Sequence, residues 1–500
     1  MDETLTEVAP AAPEREGRSL SEWWAAARAT LVARRAEVFA ALLLVSMGAN
    51  LLSVLPRKSL TNDELYHIPA GYYHLVGGMF ELNNEHPPLA KMWAALPLLF
   101  VQPDEPPPPK DQTENNMNLT WGYLQRFFAD NQERLPAVIF WPRVFAVLLT
   151  LALGALTFIY ARRFFGARAG VLAVALYSLE PTLLAHGRIV HTDVPAAFVY
   201  LLFFLVLHNY LRARTTKRAL LVGLATGAAF CTKFSMVVLP ALVAALAVAG
   251  FALAPRLKMR RARVALHFAV VFVTVLLVVN AAYYFQRPPV READVGWVRL
   301  QSPESADALL KTFRVGAKVL PTYFMFGFYN VALHNRDGHP SSLLGEYRTE
   351  GWWYYFPVAF ALKTTLPFLL LTVAALAWAL WRLGARRDLR YLAVLAPLAV
   401  YLALSMSSRI NIGIRHLLPA FPFLFVAGGA LLDRLLEVKR ARLAALALVA
   451  LTFGWTALEA WRAYPDYVPY MNQLASTHPR WWYLSDSNVE WGDDVQALAA

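Results

Sequence analysis

Long apolar blocks alternate with short polar segments along most of the chain. Each block holds about 20 residues, the length of an α-helix that spans the hydrocarbon core of a bilayer. The pattern therefore predicts an all-α polytopic membrane protein with about eleven transmembrane helices. The predicted spans lie at about 37–56, 137–160, 169–187, 194–211, 219–232, 234–254, 264–284, 353–381, 389–406, 414–432 and 443–461.

The first loop, 57–135, is long and contains apolar pieces at about 66–79 and 89–101. Both pieces are too short to cross a bilayer, so they are predicted to be interfacial helices. The proline-rich run at 103–110 is predicted to be a stiff, exposed connector. Residues 19–35 are predicted to form an amphipathic surface helix before the first span.

The predicted spans divide the chain into a membrane domain and two flanking segments. The membrane domain covers 37–461 and includes a second large extracytoplasmic loop at 285–352. Residues 1–36 form a predicted cytoplasmic tail without a cleavable signal, and 462–500 form a predicted extracytoplasmic C-terminal segment.

Composition supports a membrane protein and weakens two other classes. Hydrophobic residues make up 57% of the chain and charged residues only 16%, whereas a soluble domain carries ~25% charged residues. The net charge of +12 would suit nucleic acid, but the arginines stand in short loops, where membrane orientation explains them, so no nucleic-acid partner is expected. The single cysteine, Cys231, excludes an intrachain disulfide and a cysteine metal cluster.

The distribution of positive charge predicts the orientation of the chain. With the N-terminus in the cytoplasm, every cytoplasmic loop is strongly basic, as the positive-inside rule requires. The unusual acids, histidines and lysines then gather on the opposite, extracytoplasmic face, which predicts a single site there. The basic loops carry Arg162, Arg163, Arg168, Arg212, Arg214, Lys217, Arg260, Arg261, Arg386, Arg387, Lys439 and Arg440.

Short polar motifs on that face carry the candidate chemistry. They are Asp63-Glu64, Glu85–Lys91 (EHPPLAK), Arg188–Asp193 (RIVHTD), Asn411–Pro419 (NIGIRHLLP) and Asp486–Gly492 (DSNVEWG). On these motifs the chain resembles bacterial members of the protein O-mannosyltransferase and aminoarabinose-transferase superfamily. The resemblance covers nearly the whole chain.

This resemblance implies a GT-C type glycosyltransferase that takes a sugar from a polyprenyl-phosphate donor and inverts its anomeric carbon. It implies a bacterial inner (plasma) membrane location with a periplasmic or extracellular active site. The sugar stays open, as does the acceptor, which is a hydroxyl or phosphate of a protein, lipid A or another glycan. Neither a cofactor nor a metal is expected, because the protein's own cations would neutralise the leaving phosphate.

The chain departs from the family pattern in small ways. Ala90 replaces a glycine, Glu490 replaces the usual aspartate, and Asp493 replaces the usual glutamine. Relatives usually continue beyond the last motif, so a truncated chain or a short variant is expected.

The family positions imply roles in the first loop. Asp63 is the expected catalytic base, and Glu64 would orient the acceptor or tune that base; helix capping and first-turn placement are the structural alternatives. His86 and Lys91 are expected at the donor phosphate, although Lys91 also fits an interfacial lysine that reaches the headgroups. Glu85 would hold His86 in place.

The remaining candidates lie at predicted helix ends. Arg143, Lys233 and Arg415 are expected to bind the donor phosphate. Anchoring at the membrane interface is the alternative for Arg143 and Arg415. The supporting residues are expected to be Asp193, His191 and His416.

Two other functions compete with an enzyme. A transporter or flippase of lipid-linked sugars should carry polar groups at mid-membrane and often shows an internal repeat, whereas here the polar groups sit at one face. A catalytically idle envelope scaffold would tolerate the loss of Asp63. His334, Asp337 and His339 match no standard zinc spacing, so no metal site is predicted.

Overall fold

The computed structural model describes residues 34–104, 117–256, 259–295 and 302–495. The amphipathic helix predicted at 19–35 and the connector predicted at 103–110 lie largely outside these residues. In chain order the α-helices up to the second large loop are α1 (Arg35–Val54), α2 (Glu64–Gly77), α3 (Pro88–Ala95), α4 (Leu98–Val101), α5 (Met117–Asp130), α6 (Leu135–Phe165), α7 (Ala167–Leu179), α8 (Pro181–His186), α9 (Asp193–Arg212), α10 (Thr216–Phe230), α11 (Val238–Ala252) and α12 (Arg261–Ala282).

The second half continues in the same all-α manner, with one small hairpin. Its elements are α13 (Pro303–Gly316), α14 (Thr322–Asp337), the strands β1 (Ser341–Leu343) and β2 (Glu346–Arg348), α15 (Tyr355–Lys363), α16 (Leu366–Arg386), α17 (Leu392–Met406), α18 (Phe421–Glu437), α19 (Arg442–Ala463) and α20 (Arg480–Tyr483). The strands pair antiparallel, with Ser342 opposite Tyr347.

Nine helices of the described chain are long and apolar enough to cross a membrane. The other two predicted spans are also helical but short, because α7 has 13 residues and α10 has 15. The protein is therefore an all-α polytopic membrane protein, as the apolar pattern predicts. Both apolar pieces of the first loop are helical too, in α2 and in α3 with α4.

The largest buried cluster lies between α1, α6, α7, α9 and α18. Helix α18 is the most enclosed span, with 89% of its most apolar window buried. Gly429 lets α18 approach α7, since a Cβ atom there would lie 2.5 Å from the Ala169 carbonyl oxygen. Close packing of this kind leaves little freedom at the helix ends that lead into the candidate site.

Helices α10 and α12 form a second tight contact through Gly223 and Gly227. A Cβ at Gly223 would lie 2.7 Å from the Thr274 Cβ, and one at Gly227 would lie 2.7 Å from the Val278 Cβ. The small-xxx-small spacing thus marks a real helix contact.

The helices of the first loop form a compact layer of their own. Tyr73 of α2 contacts Tyr123 and Phe127 of α5, with ring centroids 5.2 and 5.7 Å apart. Helix α3 packs on α2 where Gly71 meets the Lys91 backbone. This layer fixes the start of α2, where the acidic pair Asp63-Glu64 stands.

Candidate active site

Asp63 and Arg415 form the central ion pair of the site. Asp63 precedes α2, and Arg415 lies in the 3₁₀ turn Ile414–Ala420 that leads into α18. Arg415 Nη1 donates to Asp63 Oδ2 at 2.5 Å. The Asp63 side chain is 17% exposed and that of Arg415 is 7% exposed, so the pair is only partly closed off from solvent.

Asp193 joins the same cluster from the first turn of α9. Its Oδ2 lies 3.6 Å from Arg415 Nη1, and its Oδ1 accepts from Lys233 at the α10–α11 junction. Two carboxylates and two cations therefore lie together, and their charges balance. Four separate parts of the chain thus bring Asp63, Asp193, Lys233 and Arg415 to one place.

His191 orients Asp193 rather than facing open space. Its Nδ1 accepts from the Asp193 backbone N–H at 3.0 Å, so Nε2 carries the proton and donates to the His186 carbonyl at 2.9 Å. The supporting role expected for His191 stays a prediction. His416 follows Arg415, its ring centroid 6.5 Å from that of Phe356.

Two histidines of the first loop stand beside Asp63. His67 lies one turn along α2, with Nε2 3.7 Å from Asp63 Oδ2. The rings of His67 and His86 meet edge to face at 4.7 Å. Burial holds the pKa of the His86 imidazole well below its usual value, and the nearby His67 and Lys91 add to this effect. His86 is therefore neutral near pH 7 and can offer a hydrogen bond but no charge.

Competing effects set the acidity of Asp63. Burial would raise the pKa of its carboxyl group, but the positive charge of Arg415 and the nearby His67 imidazole outweigh burial. The pKa of Asp63 is therefore held well below its usual value. In this arrangement the carboxylate is a weak base.

Glu64 has a different environment from its neighbour. It is fully buried and forms a two-point ion pair with Arg143, with Nε–Oε1 and Nη2–Oε2 distances of 2.8 and 2.7 Å. The backbone N–H groups of Thr61 and Val190 also donate to its oxygens. Its acceptor sites are therefore filled, and a catalytic role for Glu64 stays a prediction that this geometry does not support.

Arg143 likewise has no donor left for a phosphate. Besides Glu64, its guanidinium donates to the carbonyl oxygens of Leu55, Lys58 and Ser59. These contacts satisfy all five guanidinium N–H groups, and the side chain is 0% exposed. The structure thus gives Arg143 a role in holding the loop before α2, and phosphate binding by this residue stays an unsupported prediction.

Lys91 and Glu85 also differ from the expectation. The Lys91 ammonium is buried and donates to the carbonyl and side-chain oxygens of Asn83 at 2.7 and 3.2 Å. Burial holds its pKa well below the usual value. Glu85 makes no hydrogen bond or ion pair with the described residues, and His86 packs on His67 instead. Lys91 therefore holds the loop 83–86. The expected contact between Glu85 and His86 is absent from the described structure.

The C-terminal motif contributes residues that the sequence reasoning gave no role. Trp491 covers the Arg415 guanidinium, with Cζ 4.3 Å from the ring centroid. Ser487 Oγ accepts from Arg415 Nε at 3.0 Å. Behind them the buried Arg188 donates to Asp493 at 2.7 Å. The motifs DSNVEWG and RIVHTD, and the departure at Asp493, were the sequence signals near these contacts. The sequence signal for His67 is its position four residues after Asp63, the i+4 spacing that places two side chains on one helix face.

Comparisons with known proteins are consistent with this architecture. A crystal structure of ArnT from Cupriavidus metallidurans bound to undecaprenyl phosphate matches with a TM-score of 0.50 at 16% sequence identity, over 82% of this chain and 63% of that chain. The chain has the GT-C fold of ArnT. The likeness at this identity concerns the fold, and this chain spans less than two thirds of the length of that ArnT.

Two further solved structures match with lower TM-scores. The apo crystal structure of ArnT from Cupriavidus metallidurans has a TM-score of 0.49 at 18% identity, over 85% of this chain and 64% of that chain. Archaeal oligosaccharyltransferase AglB from Archaeoglobus fulgidus, in complex with an inhibitory peptide and a dolichol-phosphate, has a TM-score of 0.47 at 13% identity, over 85% and 55% of the two chains.

A family model described as dolichyl-phosphate-mannose-protein mannosyltransferase matches residues 125–284. This stretch includes Arg143, Asp193 and Lys233 of the GT-C fold and stops before Arg415. A search of curated proteins by sequence gave no match.

Proposed function

We propose that the chain is a membrane glycosyltransferase that moves a sugar from a polyprenyl-phosphate donor to a hydroxyl or phosphate acceptor. The main support is the cluster of ion pairs on a GT-C fold that joins Asp63, Asp193, Lys233 and Arg415. A structure with this fold holds undecaprenyl phosphate, and the family model describes transferases that use a dolichyl-phosphate sugar. Both observations support a polyprenyl-phosphate donor here.

The donor phosphate would bind between Arg415 and Lys233. Both cations contact Asp193, so an anion placed there competes with that carboxylate for them. Arg415 Nη2 donates no hydrogen bond to the described residues and is the first free donor for such an anion. The neutral imidazole of His86 adds a hydrogen-bond donor beside Asp63. Arg143 and Lys91 are not needed for this arrangement.

Asp63 would serve as the general base. Its Oδ2 is held by Arg415, whereas Oδ1 has only a 3.4 Å contact with Trp491 Nε1. The acceptor oxygen attacks the anomeric carbon, its proton passes to Asp63, and the bond from that carbon to the phosphate oxygen breaks. The electron pair leaves with the lipid phosphate, whose charge Arg415 and Lys233 neutralise. Attack opposite the leaving group inverts the anomeric carbon.

Donor binding would also make Asp63 a stronger base. In the described arrangement Arg415 keeps the pKa of Asp63 well below its usual value. A phosphate that shares Arg415 weakens this attraction, so the pKa of Asp63 rises towards the value a base needs. The proposed order is therefore donor first, proton removal second.

We propose that this chemistry takes place at the extracytoplasmic face of a bacterial plasma membrane. The basic loops at the other ends of the helices support this orientation through the positive-inside rule. Cys231 is the only cysteine of the chain and is buried. After its replacement by alanine, single cysteines can test the orientation with an impermeant thiol reagent: one at Arg163 should react only after the membrane is opened, and one at Glu490 should react in intact cells.

The reaction is also proposed to need no divalent metal. The two cations of the site supply positive charge for the leaving phosphate, as a metal would elsewhere. Transfer should survive chelation with EDTA. Loss of activity that magnesium or manganese restores would overturn this part of the proposal.

Sugar transfer by purified protein in nanodiscs tests the function. A panel of radiolabelled polyprenyl-phosphate sugars serves as donor and membrane extract serves as acceptor, with Asp63→Asn alongside. Label should reach a product with the wild type and not with the variant, and that product identifies the acceptor. If both proteins bind the lipid-linked sugar and neither transfers it, a flippase or a scaffold explains the fold better.

A further inference from the structure

The C-terminal segment 486–494 lies against the loop that carries Asp63. The Asn62 N–H donates to the Trp491 carbonyl at 2.9 Å, and the Ser59 N–H donates to the Asp493 carbonyl at 3.0 Å. The buried Lys58 adds ion pairs with the exposed carboxylates of Asp494 and Asp466. These contacts join two parts of the chain that lie more than 400 residues apart.

The same segment is anchored to the turn that carries Arg415. Asn488 Oδ1 accepts from the Ile414 N–H at 2.9 Å, and its Nδ2 donates to the Tyr355 hydroxyl at 2.9 Å. The buried Lys363 ammonium donates to the Asn488 carbonyl at 2.6 Å. Asn488 is 0% exposed, so the segment is fixed on both sides of the site.

Two side chains of the segment hold the Arg415 guanidinium. Trp491 is 5% exposed and presents its ring to the guanidinium at 4.3 Å from Cζ. Ser487 Oγ donates to the Ile412 carbonyl at 2.6 Å, so a lone pair is left to accept from Arg415 Nε at 3.0 Å. The face of Arg415 and one of its edges are thereby fixed, which leaves Nη1 between Asp63 and Asp193.

We propose that Trp491 and Ser487 are positioning residues, which hold Arg415 at the point where Asp63 and the donor phosphate compete for it. This inference rests on the proposed function and names the parts of the site that set its geometry. A buried guanidinium on a tryptophan face is a strong cation–π pair. Neither residue needs to touch the sugar or the phosphate for this role.

Loss of the ring should release Arg415 from Asp63. The groups that act on Asp63 are Arg415, His67, His86 and the Trp491 indole, whose Nε1 donates to Asp63 Oδ1 at 3.4 Å; behind Arg415 lie Asp193, Lys233 and Asp486. If the guanidinium moves away in the variant, it lowers the pKa of Asp63 less than in the wild type. Because the base must be deprotonated, the acid limb of kcat/KM should then shift to higher pH.

The test compares Trp491→Leu with Trp491→Phe, which keeps an aromatic face. Trp481→Leu is the matched control, because Trp481 lies in α20, shortly before this segment, and is 66% exposed. Trp491→Leu should lower kcat/KM roughly tenfold or more and move the acid limb up by about one pH unit. Trp491→Phe keeps the aromatic face but loses the Nε1–H that contacts Asp63 Oδ1 at 3.4 Å. Its kcat/KM should stay within about threefold of the wild type, and its acid limb should move up less than that of Trp491→Leu. Trp481→Leu should match the wild type.

Ser487→Ala gives a second variant if Trp491→Leu does not fold. It should shift the acid limb in the same direction by a smaller amount, because only one hydrogen bond to Arg415 is lost. Binding of undecaprenyl phosphate, measured without transfer, should weaken in both variants.

A wild type that transfers sugar and a Trp491→Leu variant that loses activity equally at every pH would overturn the positioning role. Wild-type activity in a variant that lacks the ring would overturn it too. A wild type without transfer would instead remove the proposed function, so the two failures can be told apart.

Discussion

The neighbouring acids Asp63 and Glu64 form ion pairs of opposite character. Glu64 and Arg143 are 0% exposed, and every donor and acceptor of the pair is satisfied. Asp63 is 17% exposed, and its buried partner Arg415 also approaches Asp193. A fully buried ion pair with all its donors and acceptors satisfied, here called a closed pair, stabilises the fold. An ion pair with spare donors or acceptors can exchange partners with a substrate. Adjacent residues of the same charge can therefore have separate tasks.

Asp63→Asn should give the largest effect on activity. Removal of a general base lowers a transfer rate about 10²–10⁴-fold. Stability should fall less than in Glu64→Gln, because Arg415 still has the Asp193 carboxylate 3.6 Å away. Transfer rate and the midpoint of thermal unfolding in detergent measure both effects. An inactive variant that is also unfolded would remove the contrast with Glu64.

Glu64→Gln should act on stability. It leaves the Arg143 charge buried without its partner, which costs about 3–5 kcal/mol. The unfolding midpoint should fall strongly, while the molecules that stay folded keep transferring sugar. Joint replacement of Glu64 by Gln and Arg143 by Met should recover part of the loss, because no unpaired charge is then buried. A double variant less stable than either single variant would contradict the closed-pair description.

Arg415→Lys should lower kcat/KM for the donor roughly tenfold or more. Lysine keeps the charge but loses the planar group that stacks on Trp491 and donates from Nε to Ser487. The rise in donor KM should exceed the fall in kcat. Arg143→Lys is the matched control, and it should change stability before it changes donor KM.

The pH dependence should show the smallest effect. The free enzyme holds the pKa of Asp63 well below its usual value, so Asp63 stays deprotonated and kcat/KM should stay flat from neutral pH to below the usual aspartate range. Once the phosphate shares Arg415, the pKa of Asp63 rises, so the acid limb of kcat should lie at higher pH than that of kcat/KM. Coincident limbs would show that donor binding leaves the Asp63–Arg415 pair intact.

The apolar pattern was enough to predict the helices. It was not enough to predict which residues contact the acids of the site, because these residues lie far apart in the chain. Glu64 is 79 residues from Arg143, and Asp63 is 428 residues from Trp491. Sequence shows charges of the right type, but only the packing of the helices decides which cation each acid meets.

Lys91 shows the same limit from another side. Its position near the end of a His-Pro-Pro motif predicted contact with a phosphate, yet the close approach of α3 to α2 turns its ammonium towards Asn83. A lysine that stiffens a loop and a lysine that binds an anion look alike until its neighbours are known.

The most direct test of the account measures sugar transfer per folded molecule for Asp63→Asn and Glu64→Gln in the same nanodisc preparation, with the folded fraction taken from unfolding curves. We expect the Asp63→Asn variant to be folded but inactive. We expect the Glu64→Gln variant to be unstable, with folded molecules that transfer sugar at close to the wild-type rate. An active Asp63→Asn together with a folded but inactive Glu64→Gln would contradict it.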